Sequence, residues 1–209
     1  MTQKSQGFLI AIEGIDGTGK TSIVKSLIES LTKDGYQVTS FKEPTNETDA
    51  GKQIRRSYTE KRAPIEVELQ WFIEDRRWNV ENNILPSLEK GYIVLLDRYF
   101  FSTACYQGAR RGANWKKILE INRANFPEPD LTVIIDLEPK ISIQRIVKDR
   151  NSSNTFEGLQ YLKKVRKIFL KIATKDKIGN YLLVNGAKPL QEVITEIYSK
   201  VHELIQKKD

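Results

Sequence analysis

Residues 8 to 21 read FLIAIEGIDGTGKT, an unbroken apolar run that gives way to three glycines and a lysine. Gly14, four further residues, then Gly19, Lys20 and Thr21 complete a phosphate-loop pattern. Each part has a physical reason. Glycines let backbone N–H groups converge on phosphate oxygens, and the N-terminus of a following helix favours negative charge. Lys20 adds a mobile cation, and Thr21 offers a hydroxyl to Mg2+. Past the turn, Ile23, Val24, Leu27, Ile28 and Leu31 recur at helical spacing until Gly35. A buried strand, a glycine turn and an amphipathic helix, in that order, make the turn a triphosphate cradle. On this reading Gly14, Asp16, Gly17, Thr18, Gly19, Lys20, Thr21 and Ser22 bind ATP.

The remaining pattern extends the same architecture. Residues 37–41 read as a second strand, and mixed helical patterning from 54 to 62 ends at Pro64. A long helical segment over 65–89 carries Leu69, Phe72, Ile73, Val80, Ile84 and Leu88, with Pro86 a kink point. Strands are expected at 93–97, 131–136 and 181–184, and helices at about 114–125, 139–149, 157–176 and 189–207. Strands that are apolar on both faces and alternate with helices predict a five-stranded parallel sheet covered on both sides, an α/β three-layer sandwich of the P-loop NTPase type. The binding crevice of such a sheet lies at the carboxyl ends of its strands, where Glu13, Glu43, Asp97 and Asp136 fall.

Composition narrows the chemistry. The 209 residues are 39% apolar, enough for one core, so residues 1–209 are read as one domain with a short lid at about 145–157. Cys105 is the only cysteine, which excludes an internal disulfide, and is read as a small packed residue. His202 is the only histidine, which removes Ser/His/Asp triads and histidine-rich metal sites. No apolar run nears the roughly 18 residues of a membrane span, and no export signal is seen, so a cytoplasmic protein with no membrane partner is expected. The net charge of +7 suits an anionic partner. Nucleotides satisfy it as well as nucleic acid, and the lysines at 163, 164, 167, 171, 175 and 177 read as a solvated helix face. No nucleic-acid partner is expected.

Two acids need separate explanations. Asp16 sits inside an anion-binding loop, which is unfavourable unless it faces away from the phosphates, for instance toward a sugar hydroxyl of a second ligand; the alternative is an exposed loop acid. Asp97 ends the strand IVLLD and precedes Arg98. A carboxylate there can support Mg2+ beside Thr21, while the arginine clamps a phosphate. No guanine-reading NKxD or TKxD motif occurs. Arg55, Arg76 and Arg98 read as a second anion site, and two phosphate sites sharing one metal suggest phosphoryl transfer between nucleotides.

With these residues in view the chain resembles the thymidylate kinases, which make dTDP from dTMP and ATP. The resemblance is dispersed: EGIDGTGKT, KEPT at 42–45, Gly51 with Ile54 and Arg55, LQWFIEDRRW at 69–78, DRYFFSTACYQG at 97–108 and PDLTVIIDL at 129–137. It implies that Phe72 stacks on thymine, although Phe72 also fits an apolar core face, and that Arg76 hydrogen-bonds the base. It further implies that Arg55 and Arg98 hold the dTMP phosphate, that Asp16 contacts the 3′-hydroxyl, and that Tyr106 closes on the deoxyribose. Thr103 and Gln107 are expected near base and sugar, Glu43 in the substrate site, Asp97 at Mg2+ and Glu13 behind it. Because Gly17 follows Asp16, the resemblance assigns the catalytic arginine to the lid, whose cations are Arg145, Lys148 and Arg150; Arg150 is chosen, and Thr155 stands where the family often has arginine. Lys20, Asp97, Arg98 and Arg150 are thus the expected catalytic set, and a homodimer packed partly through the Phe72 helix is expected. Two other readings stay open: a kinase of the same fold for another nucleoside monophosphate or a deoxynucleoside, and an ATP-dependent binding protein using its basic surface.

Overall fold

The computed structural model describes residues 7–150 and 156–207. In chain order the elements are β1 (Phe8–Gly14), α1 (Lys20–Lys33), β2 (Val38–Lys42), α2 (Asp49–Thr59), α3 (Ile65–Asn79), a π-helical turn (Val80–Ile84), α4 (Leu85–Glu89), β3 (Ile93–Asp97), α5 (Phe100–Gly108), α6 (Trp115–Asn125), β4 (Leu131–Asp136), α7 (Pro139–Arg150), α8 (Phe156–Lys175), β5 (Tyr181–Asn185) and α9 (Leu190–Gln206). Among the described residues the strands form one parallel sheet in the order β2-β3-β1-β4-β5.

Side chains alternate across a strand, and here both faces are apolar. Phe8, Ile10 and Ile12 of β1 join Ile93 and Leu95 of β3 and Val133 of β4 on one face, under α1 and α9. Leu9 and Ala11 join Val94, Leu96 and Ile134 on the other, under α5, α6 and α8. Two cores on one sheet hold its ends in a fixed relation. The chain leaves β1 for β2 on one side and later crosses from β3 to β4 on the other, so β1 lies at the topological switch point and its carboxyl end opens into the crevice.

The long helical pattern of 65–89 is broken in the structure. Asn79 is followed by the π-helical turn, and Pro86 sits in the first turn of α4, where its missing N–H is no loss. The interruption is therefore a π turn upstream of the proline. Helix α2 begins at Asp49, capped by Thr48 Oγ1, which accepts from Gly51 N at 2.8 Å, and ends at Thr59, while Pro64 caps α3. Helix α5 over FFSTACYQG has no counterpart in the sequence reading. It is almost entirely buried, so no polar face marks its period. Cys105 is packed in that helix, and His202 is partly buried, stacked on Tyr198. No described helix is long and apolar enough to cross a membrane.

Candidate active site

A cavity of about 960 Å3 opens at the carboxyl ends of β1, β2 and β3, with walls from α2, α3, α5 and α8. Its first end is the glycine loop. Gly17 has φ 72°, and a Cβ there would stand 2.7 Å from the carbonyl oxygen of Ser142. Glycine is therefore required both by the left-handed backbone and by the close approach of α7. Lys20 is buried, and its Nζ donates to the carbonyls of Gly14 and Ile15 at 3.1 and 2.8 Å and to Thr18 Oγ1 at 3.3 Å. Burial and the neighbouring Arg98 charge lower its pKa to about 7, against the pull of Asp16 and Asp97. Arg145 of α7 donates to the carbonyls of Gly17 and Gly186, tying the loop to the turn after β5.

Thr21 Oγ1 donates to Asp97 Oδ2 at 2.7 Å, and Lys42 Nζ lies 3.1 Å from the same oxygen. Burial raises the Asp97 pKa, but the Thr21 hydrogen bond and Lys42 outweigh it and hold the carboxylate below its usual range. An ionised carboxylate beside a hydroxyl is a hard-oxygen donor pair. Mg2+ is bound through one or two such groups plus substrate phosphates and water, so the pair fits that ion. No cluster of three or more His, Cys, Asp or Glu ligands occurs among the described residues.

Arg98 leaves β3 with φ 74°, the one non-glycine residue described with positive φ. Such a conformation costs roughly 1–3 kcal/mol and persists only when its surroundings over-determine it. Here they do. Its Nη1 donates to Ser102 Oγ at 2.9 Å and to Gly14 O at 3.2 Å, and its Nη2 meets Asp16 Oδ1 at 2.5 Å. Tyr106 OH donates to the other Asp16 oxygen at 3.1 Å, with the Arg98 guanidinium over its ring. Burial opposes ionisation of Asp16, but Arg98 and Lys20 prevail and lower its pKa. Behind them Glu13 accepts from the backbone N–H groups of Tyr99 and Ser102 at 2.8 and 3.1 Å and from Ser102 Oγ at 2.5 Å. The last acid of β1 thus satisfies donors left open at the start of α5.

At the opposite, deeper end, Phe72 of α3 is buried yet lines the cavity. Arg76, one turn on, is 1% exposed. Its Nε donates to Glu43 Oε2 at 2.8 Å, Nη2 lies 2.7 Å from the same oxygen and donates to Thr103 Oγ1 at 3.0 Å, and Nη1 donates to Asn122 Oδ1 at 2.5 Å. A guanidinium has five N–H groups. Three of them donate, to Glu43, Asn122 and Thr103. Glu43 accepts from Asn79 as well, and burial raises its pKa despite Arg76. Arg55 lines the cavity with its guanidinium on backbone carbonyls, those of Thr45 at 2.5 Å, Gly51 at 3.2 Å and Pro44. Gln107 is fully buried in the lining, its Oε1 accepting from Arg110 at 3.1 Å.

A scan against family models matches residues 12–197 to the thymidylate kinases. The chain belongs to the thymidylate kinase family. Its relatives include the "Probable thymidylate kinase" of Archaeoglobus fulgidus, 42% identical over 200 residues that cover 96% of this chain and 97% of that one. The thymidylate kinase of Leptospira borgpetersenii is 38% identical over 192 residues, covering 90% of this chain and 89% of that one. The matched span runs from the end of β1 into α9 and includes every cavity residue named above.

All of the expected substrate residues (Asp16, Glu43, Arg55, Phe72, Arg76, Arg98, Thr103, Tyr106 and Gln107) line this one cavity, together with Lys20, Thr21, Ser22 and Asp97. The expected lid arginine, Arg150, closes α7, but its side chain and residues 151–155 of the 145–157 segment lie outside what the structure describes. Eight lining residues were not among the expected site residues: Lys42, Pro44, Tyr58, Arg62, Tyr99, Ser102, Arg110 and Tyr161. Tyr58 and Arg62 sit four apart with the guanidinium 4.6 Å over the ring. Arg110 was legible as the cation three residues after Gln107. Tyr161 carried no local signal, because its hydroxyl bond to the Tyr106 carbonyl at 2.6 Å joins α8 to α5.

Proposed function

We propose that this chain transfers the γ-phosphoryl group of ATP to dTMP, giving dTDP and ADP. The observation that carries the reading is continuity: the phosphate loop, the Thr21–Asp97 pair and the Phe72–Arg76 pocket open into one cavity. A donor and an acceptor held in one water-poor cleft react as an intramolecular pair, and orientation of that kind accounts for much of phosphoryl-transfer catalysis.

The loop N–H groups and Lys20 hold the β- and γ-phosphates, and Phe72 stacks on thymine while Arg76 donates to it. Base stacking on an aromatic is worth about 1–3 kcal/mol. Arg55 and Arg98 take the dTMP phosphate, whose oxygen attacks in line, and Asp16 receives the 3′-hydroxyl beside Tyr106. Thr103 and Gln107 border the base, and Glu43 holds Arg76. Thr21 and Asp97 would hold Mg2+, which when bound neutralises charge on the bridging phosphate oxygens. Arg150, on the lid segment 145–157 of the single domain, supplies the transition-state cation. A cytoplasmic homodimer packed partly through α3 completes the reading; the exposed Val67 of α3 is consistent with that packing.

The deciding experiment measures ADP formation from ATP with dTMP, dUMP, the other common monophosphates and free thymidine. Turnover highest with dTMP sustains the proposal. Turnover highest with thymidine or a purine monophosphate would leave the phosphate loop in place and overturn the acceptor site.

A further inference from the structure

Asp75 of α3 is 1% exposed and does not itself line the cavity. Three neutral donors hold it, all from the stretch between β2 and α2. The backbone N–H of Thr45 donates to Oδ2 at 2.7 Å, Thr45 Oγ1 to Oδ1 at 2.6 Å and Thr48 Oγ1 to Oδ1 at 2.5 Å. A buried carboxylate is costly unless donors surround it, so the bonds tie that stretch firmly to α3. Thr48 is also the N-cap of α2, accepting from Gly51 N at 2.8 Å. The packing leaves no slack: a Cβ on Gly51 would stand 2.3 Å from the Thr45 carbonyl oxygen and 2.7 Å from Asp75 Oδ1.

The same stretch carries the acceptors that orient Arg55. One turn beyond Gly51 on α2, Arg55 donates from Nη1 to Thr45 O at 2.5 Å and to Gly51 O at 3.2 Å, and from Nη2 to Pro44 O. Thr45 therefore stands between the two charged side chains: Asp75 fixes its N–H and hydroxyl, and its carbonyl fixes Arg55. Carbonyls orient a guanidinium without neutralising it, so Arg55 presents its charge to the cavity it lines. Phe72 and Arg76 stand on the same helix as Asp75. Helix α3 thus shapes the base end of the cavity directly and the Arg55 end through Thr45.

We propose that Asp75 is a positioning residue for the acceptor phosphate: it clamps Thr45 and Thr48, and Thr45 in turn holds the Arg55 guanidinium where the phosphate of the nucleoside monophosphate arrives. This rests on the acceptor reading above. Without the carboxylate, one buried N–H and two hydroxyls lose their acceptor, the stretch before α2 is released from α3, and Arg55 loses its fixed orientation. Misplacement by about 1 Å is enough to cost roughly a hundredfold where a group must meet its target in one geometry.

The test measures equilibrium binding of dTMP and of thymidine, which differ only in the phosphate, to wild type, Asp75→Ala, Arg55→Ala and the double variant. Asp75→Ala should weaken dTMP roughly tenfold and thymidine less than about twofold. Arg55→Ala should weaken dTMP by a comparable or larger factor, and adding Asp75→Ala to it should cost less than about twofold more, because the carboxylate acts through the arginine. Factors that multiply in the double variant overturn the proposal, as does an Asp75→Ala variant that weakens dTMP and thymidine equally. If Asp75→Ala does not fold, Thr45→Val replaces it in the same cycle. That variant removes one of the three bonds and should give a loss of about threefold confined to dTMP; no such loss, or one that persists in full beside Arg55→Ala, overturns the proposal. Failure of the acceptor reading looks different: wild type would then bind dTMP no more tightly than thymidine, or Arg55→Ala would leave the difference between them intact.

Discussion

Arg98 Nη2 lies 2.5 Å from Asp16 Oδ1, an ion pair between residues 82 positions apart that joins the end of β3 to the glycine loop. The acid that looked misplaced in an anion-binding loop is thus matched by the arginine beside it. If Asp16 also takes the acceptor's 3′-hydroxyl, Asp16→Asn should raise the KM for dTMP roughly tenfold, while the KM for its 3′-deoxy analogue changes little, since a lost hydrogen bond to a charged group is worth about 1.5–3 kcal/mol. Steady-state kinetics with both acceptors check this; equal losses would refute it.

Lys20 is desolvated and donates only to loop oxygens. Its removal leaves no buried anion unpaired. Lys20→Ala should lower kcat by roughly 10²–10³-fold, the scale for loss of one transition-state donor, with Tm equal to or above wild type. Paired kinetic and melting measurements decide it, and near-wild-type turnover would sink the mechanism.

Glu43 and Arg76 form a buried pair, 3% and 1% exposed at the side chain. Removing one partner of such a pair costs about 3–5 kcal/mol, whereas replacing both with apolar residues is far milder. Urea unfolding of Glu43→Leu should therefore reveal a large loss of stability that the double variant Glu43→Leu, Arg76→Met largely recovers. Additive losses would mean that the pair is not a unit.

Glu13 is buried, and burial raises its pKa above the ordinary 4.5 although its bonds to Ser102 and Tyr99 and the nearby Arg98 charge pull it down. Between 4.5 and the raised value the folded state binds more protons than the unfolded one, so this group lowers stability as pH rises through that window. Glu13→Gln removes the titration. The Tm difference between variant and wild type should shift in the variant's favour as pH rises from 4.5 toward neutrality; parallel Tm curves would exclude the effect.

Arg150→Ala tests the lid assignment. A supplied arginine of this kind is worth about 10³–10⁵ in rate, so kcat should fall on that scale with both KM values within a few-fold. A loss smaller than tenfold would transfer the role to Arg145 or Lys148.

The local pattern of the chain was sufficient for the sheet and the phosphate loop. FLIAI, IVLLD and TVIID are apolar on both faces, and Gly14, Gly19, Lys20 and Thr21 lie within eight residues of one another, so short-range sequence carries both. Site residues at strand ends, such as Asp97 and Glu43, were legible for the same reason. Elements without a polar face were not: α5 is buried nearly all round, and a 3.6-residue period needs contrast to be seen. The π turn after Asn79 was equally silent, because it continues the apolar pattern and changes only its phase. What tertiary structure alone decided is which partner each charge meets. Asp16 meets Arg98 because β1 and β3 pair in the sheet, whereas Arg76 with Glu43 and Asn122, and Glu68 with Arg62 and Arg110, come within hydrogen-bonding distance only when α3, α5 and α6 pack beside the sheet.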